Sequence, residues 1–343
     1  MPQDDFQNKR ASIHDVARHA GVSAATVSKI LRGDTTVKVA NHDRVLSAIE
    51  ELGYRMDPLA SSLRSTQRRI IGAIVPEFES EFFSGIIGEL ERAVEERGYT
   101  LVTSSSRESE QRESELIDRM RDWRVSGLIL APVADEHGLA AKKLKENGLR
   151  SVLIDRVLAD DVFDTVASDG ASASRTVADH LVGLGHRQML VVSLPGTAAS
   201  LNARLSAFRE RCLQLAPDVT IDVLHCESDV DVLRGKLARY FDNGNRPTAI
   251  YSLFLKATLV ALNEVRRRSL RVPEDISIVG FDDAEWMQIT HPPIASVVQP
   301  VQRVAAEAME LLFRRAEGFS GPAMALVEPC EISWRSSTGP RTL

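Results

Sequence analysis

The apolar positions near the start of the chain recur with the spacing of a short helix. One face of this helix is apolar and comprises Ile13, Val16, Ala17 and Ala20. Ser12 and Asp15 form a capping-box pattern at its start. Gly21 can take the positive φ that closes a helix, and Ser23 can accept hydrogen bonds from the free amides that open the next one. The pattern predicts two helices joined by a tight turn.

The second predicted helix keeps Val27, Ile30 and Leu31 for the core. It turns Ala24, Ala25, Ser28 and Lys29 outward, which are the positions that a recognition helix offers to base edges. A third amphipathic helix follows, ends at Gly53 and carries Val45, Leu46, Ala48, Ile49 and Leu52. Three helices make a minimal core, and residues 54–64 form a fourth, marginal segment. The alternative is a capped helical hairpin that binds nothing.

From residue 70 onward, short apolar runs alternate with longer amphipathic stretches. Alternating strands and helices imply right-handed crossovers and a parallel sheet covered on both faces, and seven strands are too many for one sheet of modest size. The sequence therefore predicts an α/β architecture beyond the helical start. The runs are 70–75, 101–103, 128–130, 152–154, 189–192, 249–251 and 276–279.

Composition adds the distribution of charge. The chain has 343 residues, 43% of them hydrophobic, and a net charge of -6, so it is long enough for two or three domains. Residues 1–69 hold 11 Lys or Arg against 8 Asp or Glu, whereas the rest holds 31 against 40. The helical start is therefore the basic part, as contact with DNA phosphates requires.

Several classes of protein lack sequence support. The three cysteines show neither CxxC nor zinc spacing, and we expect them to be reduced, with no metal or other cofactor bound. There is no signal segment and no apolar run of about 18 residues. Motifs of serine hydrolases, P-loop NTPases and zinc peptidases are absent. Residues 183–188 (GLGHRQ) precede a strand instead of following one, so they are not a dinucleotide loop, and we interpret His186 as structural.

Several motifs resemble the lactose-repressor (LacI/GalR) family of bacterial transcription regulators over nearly the whole length of the chain. The similarity to the N-terminal motif is specific because it combines a helix-turn-helix, a third helix and a hinge at one spacing. The motifs are residues 13–64, 70–76 (IIGAIVP), 124–129 (RVSGLI), 184–187 (LGHR) and 272–283 (VPEDISIVGFDD).

The resemblance implies a domain organisation. A three-helix, helix-turn-helix DNA-binding domain spans 1–56, and a hinge helix with its linker spans 57–69. An effector-binding and dimerisation domain spans 70–343 and consists of two doubly wound subdomains, as in periplasmic sugar-binding proteins. The first subdomain covers about 70–168 and 298–325, and the second covers about 169–297 and 326–343, with residues 294–298 crossing back.

The resemblance also places the contacts with DNA. Ala24, Ala25 and Lys29 read bases in the major groove, where the alanines can touch a thymine methyl and Lys29 supplies the polar contact. Leu63 of the hinge inserts into the minor groove and bends the duplex. Lys38 stands where the family usually has a Ser or Thr that caps the third helix. The expected DNA-binding residues are Ser23, Ala24, Ala25, Thr26, Ser28, Lys29, Arg32, Lys38, Asn41, Leu63 and Arg64.

The effector is expected beyond the carboxyl ends of the strands, in the cleft between the subdomains. Arg204 and Asp282 are the main candidates because a guanidinium and a carboxylate suit sugar hydroxyls or a carboxylate. Each has an alternative: Phe82 or Phe83 could be core, Asp282 could cap a turn, and Arg204 could pair with a surface carboxylate. The expected residues are Phe82, Phe83, Arg107, Asp155, Arg156, Ser200, Arg204, Phe254, Asp282 and Gln299.

The chain departs from the family at Phe254-Leu255, where an Asn-Asp pair is usual. An aromatic face can stack on a sugar ring, whereas Arg107, Arg156 and Arg204 together favour an acid, so a sugar acid or phosphorylated sugar is preferred. We expect a homodimeric repressor that binds a palindromic operator in the bacterial cytoplasm, at the nucleoid, and is not an enzyme or a membrane protein. The alternatives are a sugar-binding protein and a sugar-metabolising enzyme.

Overall fold

A computed structural model describes residues 11–31, 37–54, 69–134, 138–156, 162–194, 199–226 and 229–341. The chain forms two compact units, residues 1–68 and residues 69–343. Within the described residues, the helices are α1 (Ile13–Ala20), α2 (Ala24–Leu31), α3 (Val39–Glu51), α4 (Glu81–Glu96), α5 (Glu110–Asp122), α6 (Leu139–Asn147), α7 (Gly170–Gly183), α8 (Ala199–Leu215), α9 (Val230–Asp242), α10 (Leu255–Arg267), α11 (Glu285–Ile289) and α12 (Val301–Ala316).

The first unit is a three-helix cluster, and its first helix begins and ends at the residues that the sequence predicts. Ser12 and Asp15 cap α1 reciprocally, with the Asp15 N–H donating to Ser12 Oγ at 3.3 Å and the Ser12 N–H donating to Asp15 Oδ2 at 3.0 Å. Gly21 ends α1 with φ at 63°, in the left-handed region that glycine tolerates. The predicted helix-turn-helix is confirmed. The core of the unit consists of Val16, Ala17, Ala20, Val27, Ile30, Val45 and Ala48.

The second unit contains two six-stranded sheets. The first has the order β11-β5-β4-β3-β1-β2 and the second has the order β12-β10-β9-β8-β6-β7. The strands are β1 (Ile70–Val75), β2 (Thr100–Ser105), β3 (Gly127–Leu130), β4 (Ser151–Ile154), β5 (Asp164–Asp169), β6 (Gln188–Ser193), β7 (Thr220–His225), β8 (Ala249–Ser252), β9 (Ser277–Phe281), β10 (Ala295–Val298), β11 (Ala325–Pro329) and β12 (Glu331–Ser333).

Helices cover both faces of each sheet, which is why the strands read as continuous apolar runs. In β1, Ile71 and Ala73 face the core beneath α4 and α12, while Ile74 faces the core beneath α5 and α6. The second sheet is packed in the same way, by α7 and α8 on one face and by α9, α10 and α11 on the other. The predicted doubly wound α/β architecture is confirmed, and the seven predicted runs lie in seven strands, apart from Ile276, which precedes β9.

The chain passes between the two sheets three times. It passes from β5 to α7, from β10 to α12, and from β11 to β12. Residues 294–298 were expected to form the crossing segment, and residues 295–298 form strand β10 of the second sheet before the crossing. Residues 326–329 were expected in the second subdomain, but they pair with β5 in the first sheet, so the last crossing falls at Cys330.

Candidate DNA-binding and effector sites

The start of α2 presents part of the expected recognition surface. Ala25 and Lys29 are exposed. Ser23 precedes the helix, and its Oγ accepts the Thr26 N–H at 3.1 Å and lies 2.9 Å from Thr26 Oγ1. Ser23 and Thr26 therefore organise the helix start, which leaves Ala25 and Lys29 as its accessible surface. Ala24 differs from the expectation that it points outward, because it is half-buried and packs against the three-helix core, and Ser28 is half-buried as well.

Lys38 and Asn41 lie at the start of α3. No side chain caps this helix at Lys38, which agrees with the loss of a Ser or Thr cap, and the Lys38 side chain is exposed. Arg44 donates to Asn41 Oδ1 at 3.2 Å and to the Gly21 carbonyl at 3.3 Å. Asn41 is thereby held within the protein, whereas Lys38 remains available for a phosphate. Arg32, Leu63 and Arg64 lie outside the described residues.

The candidate effector cleft lies at the carboxyl ends of strands from both sheets. Asp155 follows β4 of the first sheet, Asp282 follows β9 of the second, and Gln299 follows β10. Asp155 and Asp282 have φ values of 60° and 69°, in a region that aspartate occupies more readily than most residues. The helix α8 supplies Arg204, whose side chain is only 7% exposed. These four residues are therefore brought together, as expected.

Arg204 is the centre of this arrangement. Its guanidinium carbon lies 3.7 Å from the centroid of the Phe281 ring, Nη1 donates to the Leu253 carbonyl at 3.3 Å, and Nη2 lies 3.6 Å from Asp155 Oδ1. Gly170 at the start of α7 leaves room for this side chain, because a Cβ there would stand 2.8 Å from Arg204 Nε. The alternative of pairing with a surface carboxylate does not hold, since Asp155 is itself buried.

Asp282 and Gln299 form the second pair. Gln299 Nε2 donates to Asp282 Oδ1 at 2.6 Å. Burial raises the pKa of the Asp282 carboxyl, against the opposing effects of Arg204 and Gln299. Gln299 Oε1 and Arg204 Nε are buried and have no hydrogen-bond partner among the residues that the structure describes. The cluster therefore retains two buried polar atoms whose hydrogen-bonding capacity is unused.

One of the expected arginines is bound mainly by a carboxylate outside this cluster, and another lies apart from it. Arg156 Nε lies 3.9 Å from Asp155 Oδ2 at the edge of the cluster. Arg156 donates through both terminal nitrogens to the two carboxylate oxygens of Glu108, each at 2.6 Å. Burial lowers the pKa of Arg156, but the hydrogen bonds and charge of Glu108 outweigh burial and raise it overall. Arg107 is exposed and lines a neighbouring concave surface at the ends of β1 and β2. No pattern in the sequence indicated that Glu108 is the partner of Arg156.

The expected aromatic contacts are mainly with the cores. Phe82 and Phe83 are 6% and 5% exposed and pack edge to face at 5.1 Å within the core of the first sheet. Phe254 directly precedes α10, is half-buried and packs against the core beneath that helix. Ser200 lies in the first turn of α8 and is half-buried.

Two contacts near the boundary between the subdomains were not predicted from the sequence. The ring of Phe281 packs against the guanidinium of Arg204, and Phe281 belongs to the same GFDD motif as Asp282. Lys256 on α10 donates to Glu77 Oε2 at 2.9 Å, and this ion pair joins the second subdomain to the loop after β1 of the first. A Lys two residues after Phe254 carried no signal, because its partner lies 179 positions away.

Other expectations concern the chemistry of the chain. His186 is 2% exposed, and its ring nitrogens lie 2.9 Å from Thr248 Oγ1 and 3.0 Å from Ser277 Oγ. Burial lowers its pKa to about 4, so the neutral ring is a structural link, as predicted. In the described ranges, no group of three His, Cys, Asp or Glu side chains is arranged to hold a metal ion. None of the helices that the structure describes is long and apolar enough to span a membrane.

Comparisons with known proteins agree with a helix-turn-helix unit followed by an α/β unit. Residues 12–57 match the family described as bacterial regulatory proteins, lacI family, and residues 178–338 match the periplasmic binding protein-like domain. The HTH-type transcriptional regulator PtxS of Pseudomonas plecoglossicida is 32% identical over 333 residues, which cover 96% of each chain.

Two solved structures resemble the whole chain. The lac repressor dimer bound to operator and the anti-inducer ONPF has a TM-score of 0.87 at 22% identity and covers 96% of this chain and 100% of its own. The transcriptional regulator CelR in complex with cellobiose has a TM-score of 0.71 at 26% identity, with the same shares covered.

Proposed function

This chain belongs to the lacI family of bacterial regulatory proteins, and we propose that it is a transcriptional repressor whose operator affinity is set by a sugar-like effector in the cleft. It is a DNA-binding transcription regulator, and the relatives it matches are regulators and not enzymes. We propose that binding alone, without a catalytic step, is its activity. A regulator of bacterial genes works on the chromosome, so we place it in the cytoplasm, at the nucleoid when bound to DNA.

The DNA-binding part of the proposal rests on α2. Lys29 can donate to guanine in the major groove, and Ala25 can contact a thymine methyl. Leu63 is proposed as the wedge of the hinge, where an inserted apolar side chain unstacks a base step. Because two identical recognition helices related by a two-fold axis read inverted half-sites, the operator is proposed to be palindromic.

Dimerisation is supported by an apolar surface on the second subdomain. Ile289 at the end of α11 is 77% exposed, and Leu259 on the neighbouring α10 is 42% exposed. Together with Leu262 and Trp286 they line one shallow concavity of about 420 Å³. A surface of this kind is costly to leave in water and is typical of an interface between subunits. We propose that a second copy of the chain covers it.

The observation that carries the effector proposal is the convergence of Arg204, Asp155, Asp282 and Gln299 between the two sheets. Each buried polar group without a partner costs about 1 to 3 kcal/mol. A sugar offers several hydroxyls, each of which donates and accepts, so one small molecule can satisfy donors and acceptors at once. The ring of Phe281 packs against the Arg204 guanidinium within the site.

The charges around Arg204 bear on whether the effector is a neutral sugar or an acid. The preference for a sugar acid or phosphorylated sugar rested on three arginines, of which Arg156 is neutralised by Glu108 and Arg107 faces a separate surface. Arg204 remains, and Asp155 and Asp282 flank it. We therefore propose a neutral, polyhydroxylated sugar. The sugar acid is the second candidate, because its carboxylate can bind Arg204 if Asp282 holds a proton.

The test is a thermal-shift screen of sugars and their corresponding acids, followed by operator binding. A ligand at 100 times its Kd adds about 2.7 kcal/mol to the free energy of unfolding, which the melting temperature reports. An operator selected from random duplexes is then titrated by fluorescence anisotropy with and without the ligand. A ligand that stabilises the protein and lowers its operator affinity supports a repressor released by its effector. Stabilisation without any change in operator affinity contradicts the proposal.

A further inference from the structure

A second concave surface lies beside the effector cleft, where β1 and β2 end and α5 begins. We call it the arginine groove. Its volume is about 630 Å³, within the range of small-molecule sites. The side chains used below are Phe78, Ser104, Arg107, Arg112 and Arg119, all of which line it.

The three arginines of the groove carry uncompensated charge. Arg107, Arg112 and Arg119 are exposed, and none has a carboxylate oxygen within 4 Å among the residues that the structure describes. Ser105 positions two of them. The backbone N–H of Arg107 donates to Ser105 Oγ at 3.3 Å, and the side-chain Nε of Arg112 donates to the Ser105 carbonyl at 2.8 Å. The terminal nitrogens of Arg112 are therefore directed by a fixed bond.

Three glutamates also line the groove, but two of them are bound by basic side chains that do not line it. Both oxygens of Glu108 are held by Arg156 at 2.6 Å, and Glu77 Oε2 is held by Lys256 at 2.9 Å. Of the glutamates that the structure describes in the lining, Glu79 alone has no basic partner outside the groove. The groove consequently has an excess of positive charge in a protein whose net charge is -6.

We propose that the arginine groove binds a small phosphate ester, as a second ligand independent of the effector in the cleft. Guanidinium groups recognise phosphate through paired N–H donors, and three of them match the charge of a dianion. Ser104 adds a hydroxyl donor at the end of β2. The ring of Phe78 is 44% exposed and offers a flat apolar face to the organic part of the ester.

The experiment is calorimetric titration of the full-length protein with glucose 6-phosphate, adenosine monophosphate and inorganic phosphate, with glucose as the neutral counterpart of the first. The esters distinguish a sugar from a base as the organic part. The double variant Arg107→Gln, Arg119→Gln is compared with Arg121→Gln. Arg121 lies on the same helix outside the groove and is paired with Asp118 and Asp122. Arg112 is left intact because its bond to Ser105 is structural.

We expect saturable binding of at least one ester, weakened at least about tenfold in the double variant and unchanged in Arg121→Gln. Arg204→Ala should bind the ester like the wild type, which separates this site from the cleft. No saturable binding up to about 10 mM would overturn the proposal. So would an affinity that is lost in Arg204→Ala and retained in the double variant, since the ester would then occupy the cleft. Circular dichroism checks that each variant is folded.

Discussion

Asp155 and Arg204 meet between the two subdomains, with Asp155 Oδ1 3.6 Å from Arg204 Nη2 and both side chains less than a tenth exposed. One residue follows a strand of the first sheet and the other lies on a helix of the second half, so their contact depends on how the halves are closed. A molecule that binds Arg204 or Asp155 therefore acts on the relation between the subdomains. This is the property that an effector site of a regulator needs.

The first prediction concerns the polar groups of the cleft. Arg204→Ala and Asp282→Ala should each weaken effector binding by about 1 to 3 kcal/mol, a tenfold to hundredfold loss, because ligand groups are left unpaired. Titration of each variant with the strongest thermal-shift ligand measures this. Operator binding without the effector should persist if the effector is an inducer. Unchanged effector affinity in both variants would place the effector site elsewhere.

The second prediction uses the space beneath Arg204. Gly170→Ala introduces a Cβ 2.8 Å from Arg204 Nε and 3.1 Å from the Phe281 ring, so the guanidinium must move and effector affinity should fall about tenfold. Gly183→Ala is the control, because a Cβ at the other end of the same helix meets nothing within 4 Å. Equal effector affinities in the two variants would contradict the role assigned to the position of Arg204.

The third prediction concerns assembly. Ile289→Glu places a charge on the exposed apolar surface and should shift a dimer toward monomers at micromolar concentration, as sedimentation velocity reports. Operator affinity should fall with it, because one monomer reads only half of a palindrome. Leu213→Glu changes an apolar side chain that is 49% exposed elsewhere in the same subdomain and should leave the dimer intact. A dimer that persists in Ile289→Glu would exclude this surface as the interface.

The fourth prediction concerns Leu63 of the hinge, which lies outside the described residues. Leu63→Ala should weaken operator binding more than binding to unrelated DNA, because the wedge acts only where the duplex is bent. The melting temperature of the effector domain should not change. Measurement of both affinities at one salt concentration decides the matter, and equal operator affinity in wild type and variant would rule out the wedge.

The fifth prediction concerns a buried carboxyl in the first subdomain. Glu113 is fully buried, its Oε1 accepts the Val133 N–H at 2.9 Å, and burial raises its pKa to about 8 from an ordinary 4.5. The folded state therefore holds a proton that the unfolded chain releases above pH 4.5. The stabilising contribution of Glu113 is complete below that pH and is lost as pH rises through about 8.

Glu113→Gln removes this titration. Between pH 4.5 and 8, the free energy of unfolding of the variant should fall less steeply with pH than that of the wild type, by up to about 1.4 kcal/mol per pH unit. Urea unfolding across this range measures the slope. Glu115→Gln alters an exposed residue of the same helix and should keep the wild-type profile. Identical profiles for Glu113→Gln and wild type would refute the assignment.

Local signals in the sequence predicted much of the fold. Ser12, Asp15 and Gly21 cap α1 as the sequence indicated, because capping depends on residues a few positions apart. The strands β5, β7, β11 and β12 were not predicted. Both β7 and β11 are edge strands: β7 has no buried position, and in β11 the one buried residue is Glu328, so burial does not follow the apolar positions.

Side-chain pairing was the part that the sequence did not reveal. Arg204 and Asp282 were expected in one site and lie there, since strand ends of a parallel sheet converge. Arg156 was expected to face the effector, and no sequence pattern indicated that Glu108, 48 positions away, binds both of its terminal nitrogens. The choice between a ligand and a neighbouring carboxylate depends on distances that no local pattern encodes.

The three passages of the chain between the sheets have a consequence for the order of folding. The first sheet is not complete until Ala325–Pro329 has paired with Asp164–Asp169, although its other strands are synthesised before residue 170. The helix Val301–Ala316, which covers one of its faces, is also made late. A nascent chain that stops before residue 300 therefore exposes the part of one apolar face of the five-stranded sheet that Val301–Ala316 covers beside Glu81–Glu96. Such a chain is prone to aggregate, so the effector-binding unit matures as a whole only near the end of translation.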